Sequence, residues 1–106
     1  MTNRVGDADL VARAERGDDA AFEQLVERHF ETVVAAANEL LDDLDGAHSC
    51  AKNAFLEAKS ALSKLKHKSH FGLWVYGISR RKAIYVLRRR KLSGPTAPDT
   101  REGDPQ

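Results

Sequence analysis

The 106-residue sequence has a single cysteine, three prolines and little aromatic content. One cysteine cannot form a disulfide within the chain. No apolar run approaches the roughly 18 residues of a membrane span, and the first ten residues do not resemble a signal peptide. Neither strand-like alternation nor an internal repeat is evident. These absences predict a cytoplasmic protein with no membrane partner, and its 42% hydrophobic content is enough for one small core.

Charge is distributed very unevenly along this nearly neutral chain. Residues 1–50 carry a net charge of −8 and residues 51–92 a net charge of +11, although the whole chain is at +1. Such asymmetry is typical of a protein with an anionic partner. The alternative is that one half neutralises the other within the fold.

Helical signals follow one another from the start of the chain. Asp7 is expected to cap a short helix that Gly17 ends, and Asp18 or Asp19 to cap the next one. Apolar residues at helical spacing then predict a long central helix over residues 20–42 and a third helix over about residues 47–65, after a turn near residues 42–46.

The last helix follows a basic loop at residues 64–68. Ser69 stands where an N-cap would, and Phe71, Trp74, Val75 and Ile78 form one apolar stripe. We therefore predict an all-α single domain over residues 1–92, with three long helices and a short N-terminal one, and a disordered tail or linker over residues 93–106. The predicted core comprises Phe22, Leu25, Val26, Phe30, Leu41, Phe55, Leu62, Phe71, Trp74 and Ile78.

A resemblance to a known family runs without a gap through residues 40–91, LLDDLDGAHSCAKNAFLEAKSALSKLKHKSHFGLWVYGISRRKAIYVLRRRK. This stretch resembles region 2 of the extracytoplasmic-function (ECF) bacterial sigma factors, and residues 9–30 are similar to the opening helices of that family. The matching positions include Leu40, Leu41, Ala47, Phe55, Leu56, Ala58, Ser69, Phe71, Trp74, Tyr76, Ile78, Arg80, Ala83 and Leu87. The resemblance implies a non-enzymatic role in transcription initiation, with core RNA polymerase and the single-stranded −10 promoter element as partners.

The resemblance also implies particular site residues. Backbone phosphates would be met by cations of the loop and of the final helix, and each contact would add salt dependence. The implied DNA-binding residues are Lys64, Lys66, Lys68, Arg80, Arg81, Arg88, Arg89, Arg90 and Lys91. The implied polymerase-binding residues are Asp43, Asp45 and Leu56.

Several positions depart from the family pattern. Neutral or basic residues replace an acidic stretch of the third helix, at His48, Ser49, Lys52 and Asn53. Gly72 and Gly77 stand in place of arginines, Arg81 in place of a frequent asparagine and Lys82 in place of an apolar residue.

A second apolar face is predicted on the last helix, opposite the buried stripe. It comprises Leu73, Tyr76, Ile84 and Leu87, and an exposed face of this kind usually marks a partner. The alternative function is therefore a sigma-like protein-interaction adaptor or regulator, which could be a homodimer, that has lost promoter recognition.

Neither a metal nor an organic cofactor is predicted. His48, Cys50, His67 and His70 lack the paired spacing typical of zinc sites, and no catalytic motif occurs. Family members usually carry a second DNA-binding domain, which nothing after Leu92 could build. Further candidate partners are therefore a protein that supplies that domain and an anti-sigma factor. The sequence leaves open whether the chain is a fragment, a stand-alone half or a degenerate relative.

Overall fold

The computed structural model describes residues 5–93, which fold into helices joined by short turns and contain no strand. The prediction of an all-α domain with three long helices and a short N-terminal one is confirmed. The helices are α1 (Asp7–Glu15), α2 (Asp19–Leu41), α3 (Leu44–Ser60) and α4 (Phe71–Ser93), with 3-10 turns at Leu62–Lys64 and Lys68–His70. Apart from Ser93, where α4 ends, the predicted tail at 93–106 lies outside the described residues.

The connection between α1 and α2 follows the predicted signals. Gly17 has a φ of 96°, a left-handed conformation that glycine adopts without strain. The carboxylate of Asp18 accepts a hydrogen bond from the amide of Ala21 at 3.1 Å. That bond lowers the pKa of Asp18, with a smaller contribution from Arg13.

The predicted cap of α1 by Asp7 is wrong. Gly6 occupies the N-cap position without a side-chain bond, and Asp7 lies inside the first turn. Its carboxylate instead accepts a hydrogen bond from Arg28 at 2.9 Å and lies 2.7 Å from Nε2 of His29. Asp7 therefore joins α1 to α2 and does not cap α1, because in the fold its carboxylate is bound by the side chains of Arg28 and His29 on α2.

Helix α3 begins three residues earlier than predicted. Asp42 ends α2 in a left-handed conformation, with φ 48°. Asp43 is the N-cap of α3 and accepts a hydrogen bond from the amide of Gly46 at 3.1 Å. The turn is therefore only two residues long, and Gly46 lies inside the helix.

The boundaries around the basic loop also differ from the prediction. Helix α3 ends at Ser60 rather than near Leu65, and the chain tightens into the two 3-10 turns. Ser69 lies within the second turn, while α4 begins only at Phe71. Ser69 is thus not the N-cap of α4, because it already lies inside the 3-10 turn that leads directly into that helix.

The core lies where α2, α3 and α4 meet. Seven of the ten predicted core residues are buried, while Val26, Phe30 and Trp74 are half-buried and pack against the others. Phe71 is fully buried. Its ring centroid lies 6.0 Å from that of Phe22 and 6.3 Å from that of Phe55, so one aromatic side chain joins three helices.

Gly72 allows α4 to approach α2 closely. A Cβ atom at this position would lie 2.7 Å from Cε1 of His29, inside van der Waals contact. The imidazole therefore occupies the space that a side chain would need. This packing gives a physical reason for glycine at a position where the sigma pattern has arginine.

Candidate functional site

The predicted loop cations lie on the two 3-10 turns that precede α4 and on the link between these turns. Lys64 and Lys66 are exposed. Nζ of Lys68, by contrast, lies 2.6 Å from Oε1 of Glu15 at the end of α1. This ion pair fastens the loop to α1, and it leaves Lys68 less available to an external anion than the other two lysines.

The cations of α4 extend over its outer and C-terminal surface. Because Val75, Ile78 and Ala83 are buried on one side, the helical period places Arg80, Arg81, Arg88 and Lys91 on the other. Five cations of α4, which we call the outer cations, form no ion pair with an acid of residues 5–93. The outer cations are Arg80, Arg81, Arg88, Arg89 and Lys91.

Arg90 differs from its neighbours because it reaches an acid at the start of α3. Its NH2 lies 2.7 Å from Oδ2 of Asp43. The amide of Gly46 and then Arg90 lower the pKa of Asp43, which stays ionised. A residue predicted for DNA and one predicted for polymerase thus bind each other, and both stabilise the junction of α3 with α4.

Lys82 makes a second ion pair between α3 and α4. Its Nζ lies 2.8 Å from Oε1 of Glu57. The hydrogen bond and charge of Lys82 lower the pKa of Glu57. Lysine at a position where the sigma pattern is apolar therefore has a partner within the fold.

A groove of about 510 Å³ lies between these two ion pairs, and we call it the α3–α4 groove. Its floor includes Ile78 and Cys50, and burial raises the pKa of the Cys50 thiol. Polar side chains of Ser49 and Asn53 line the α3 wall. Volumes of this order are typical of small-molecule and cofactor sites.

Tyr85 stands on the α4 wall of this groove and was not among the predicted site residues. It is 61% exposed, which is high for a tyrosine. NH1 of Arg89 donates a hydrogen bond to its hydroxyl at 3.3 Å, and the guanidinium lies 5.7 Å from the ring centroid. The spacing of Arg81, Tyr85 and Arg89 by four residues each was the signal in the sequence that could have identified it.

The predicted polymerase-binding residues do not form one cluster. Asp45 and Leu56 are exposed on α3, and Leu56 is 67% exposed. Asp43 caps the helix and is bound to Arg90, as described above. The outer surface of α3 therefore presents Leu56 beside Lys52 and Asn53, which are also exposed.

The predicted protein-partner face is only partly available. Leu73 is 73% exposed, whereas Tyr76 and Ile84 are half-buried and Leu87 packs against the core. A second groove, of about 340 Å³, separates Leu73 and Tyr76 from α2. We call it the α2–α4 groove.

Other candidate sites are not assembled in the described part of the chain. The rings of His67 and His70 lie 5.3 Å apart, but Cys50 is buried on α3. Residues 5–93 hold no group of three or more His, Cys, Asp or Glu side chains placed to bind a metal. Over the same residues, no helix has the length and hydrophobicity needed to span a membrane.

A comparison with known proteins finds similarity to a bacterial transcription factor. The chain is 33% identical over 110 aligned residues to the RNA polymerase sigma-H factor of Pseudomonas aeruginosa, and the match covers 98% of this chain and 57% of that protein. The chain is therefore similar to part of a sigma factor. It spans little more than half the length of this relative. No family model and no solved structure matches it.

Proposed function

We propose that this sigma-factor-like region acts in transcription initiation as region 2 of an ECF-type sigma factor. It would bind core RNA polymerase and the single-stranded −10 promoter element in the cytoplasm, without catalysing a reaction. The observation that carries this proposal is the set of outer cations on α4. Lys68, Lys82 and Arg90 are already neutralised by acids of the fold, whereas the outer cations are not.

The two partners would use different helices. The outer surface of α3, with Leu56 at its centre and Asp45 near its start, is the proposed polymerase contact. Lys64, Lys66 and the outer cations are the proposed DNA contacts, because exposed cations along one helix can follow a phosphate backbone. Lys68 and Arg90 would contribute less, since DNA would have to displace Glu15 or Asp43 first.

Retention of core RNA polymerase by the immobilised full chain tests this function. We expect wild type to retain the enzyme and Leu56→Glu to lose it, because a charge would replace the exposed apolar side chain. Leu73→Glu is the matched control, since Leu73 is also an exposed leucine, 73% accessible, but lies on α4, outside the proposed contact. Equal retention by the two variants would remove Leu56 from the interface, and no retention by wild type would contradict the polymerase contact.

The α2–α4 groove favours a second function, that of a protein-interaction adaptor or regulator. An apolar side chain as exposed as Leu73, beside a groove, is a common feature of protein contacts. A second copy of the chain or an anti-sigma factor would occupy this face. The mass of the purified chain in solution distinguishes the two functions. A dimer that Leu73→Glu converts to a monomer, together with no retention of polymerase by wild type, would favour the adaptor or regulator.

A further inference from the structure

An ion pair joins α3 to α4 near each end of the α3–α4 groove, and we call these two pairs its closures. Lys82 and Glu57 form one closure, and Arg90 and Asp43 the other. Eight residues separate the two cations on α4, which is about 12 Å at 1.5 Å per residue. Each closure also neutralises an acid that would otherwise repel an anion.

Tyr85 stands between these closures with a cation one turn away on either side. Arg81 precedes it by four residues, and Arg89 follows it by four and contacts its hydroxyl. An exposed aromatic ring flanked by cations is the arrangement that binds single-stranded nucleic acid, because the ring stacks on a base while the cations meet its phosphates.

We propose that the α3–α4 groove is a subsite for one unpaired base of single-stranded DNA, with Tyr85 as the stacking platform. Arg81 and Arg89 contact the flanking phosphates. The hydroxyl of Ser49 and the amide of Asn53 face the base edge from α3. This subsite lies on the C-terminal half of α4, whereas the basic loop precedes the N-terminus of that helix.

An acidic peptide fits the same surface less well. Carboxylates would satisfy the guanidinium groups, but they would leave the ring of Tyr85 and the apolar floor at Cys50 and Ile78 uncovered. A base covers both, because its face is apolar and its edge is polar. The proposal rests on the proposed function in that the ligand is single-stranded DNA.

Photo-cross-linking identifies the stacked residue directly. The full chain would be irradiated with a single-stranded oligonucleotide that carries 5-iodouracil at one position at a time, and the cross-linked peptide identified by mass spectrometry. We expect cross-links at Tyr85. Cross-links confined to the loop or to Trp74 would overturn the proposal.

Oligonucleotide binding by variants separates the contribution of base stacking from that of charge. We expect Tyr85→Ala to weaken binding of the oligonucleotide roughly 5- to 150-fold, the range for loss of one stacked base, with an unchanged salt slope because no charge is removed. Tyr85→Phe should retain most of the affinity. Leu44→Ala, which removes an exposed apolar side chain away from the groove, is the control and should bind as wild type does.

The outcomes also distinguish this proposal from the function on which it rests. If wild type binds with a steep salt dependence but Tyr85→Ala is unchanged, only the stacking subsite is overturned. If wild type binds no single-stranded DNA at low salt, the DNA function is overturned as well. If polyglutamate binds with the same dependence on Tyr85, the groove is a peptide site and the proposal is wrong.

Discussion

The two sides of α4 are built in different ways. On the side of α2, Gly72 lets the helix approach until the ring of His29 fills the space of a side chain. On the side of α3, a wider gap remains, and Lys82 and Arg90 span it through ion pairs. Beyond the shared core, α4 thus meets α2 by a close approach at Gly72 and meets α3 by two ion pairs beside an open groove.

This difference indicates how one helix can combine stability with binding. Close packing buries apolar surface and stabilises the fold, but it leaves little room for a ligand. Exposed ion pairs contribute little stability, and those of Lys82 and Arg90 leave an open groove between α3 and α4. Substitutions at Gly72 should therefore affect folding, and those on the α3–α4 groove should affect DNA binding.

The largest expected effect is on stability, and it comes from Phe71, whose ring packs against both α2 and α3. Phe71→Ala should lower the free energy of unfolding by about 3 to 5 kcal/mol, because it leaves a cavity among Phe22, Phe55 and Trp74. Urea denaturation followed by circular dichroism measures the change. Trp74→Ala is the comparison, and it should cost less because this ring is only half-buried. An equal or larger loss at Trp74 would contradict the central place of Phe71.

The next effect concerns the outer cations. Replacing Arg88, Arg89 and Lys91 with alanine should reduce the log-log salt slope of single-stranded DNA binding by about 2 units, at 0.7 per phosphate contact. The affinity at 0.1 M salt should fall about 100-fold. Fluorescence anisotropy over a salt series measures both quantities.

Arg16→Ala is the control for this variant, since it removes an exposed arginine at the end of α1. It should leave the slope unchanged. A similar loss of slope from this substitution would show that DNA binding follows the overall charge rather than the surface of α4.

Two glycines of α4 test the packing difference more finely. A Cβ atom added at Gly77 would meet only open space, so Gly77→Ala should raise the free energy of unfolding by about 0.5 to 1 kcal/mol through helix propensity. Gly72→Ala should gain less or lose stability, because the added methyl meets His29. A thermal melt of each variant suffices, and an equal gain at both positions would argue against the close approach of α2.

The smallest effect is on the pH dependence of stability. The pKa values of Asp18, Asp43 and Glu57 are lowered in the fold, so the unfolded chain takes up these protons at higher pH. Their contribution is therefore present at neutral pH and is lost as the pH falls below about 4. Melting temperatures measured from pH 7 to pH 3 should decrease.

Asp43→Asn should make that decrease shallower, because the amide keeps the cap but cannot titrate. Asp45→Asn removes an exposed carboxylate two residues away and serves as the matched control. An identical pH profile for wild type and Asp43→Asn would show that the titration of Asp43, whose pKa is lowered first by the amide of Gly46 and then by Arg90, does not contribute to the pH dependence.

The sequence by itself determined the helices and most of the core. Apolar spacing near 3.6 residues marks α2 and the buried stripe of α4, and Gly17 and Asp18 mark a boundary through local backbone chemistry. Such signals depend on residues a few positions apart. They therefore remain readable without knowledge of the fold.

Only the tertiary structure decided which charges remain available to a partner. Arg90 and Arg88 look equivalent in the sequence, yet Arg90 binds Asp43, which is 47 positions away. Tyr85 likewise lacked any distinguishing local pattern beyond its spacing from arginines, and its exposure on the α3–α4 groove depends on how α3 lies against α4. Contacts between residues distant in the chain are set by helix packing, and a local pattern does not encode them.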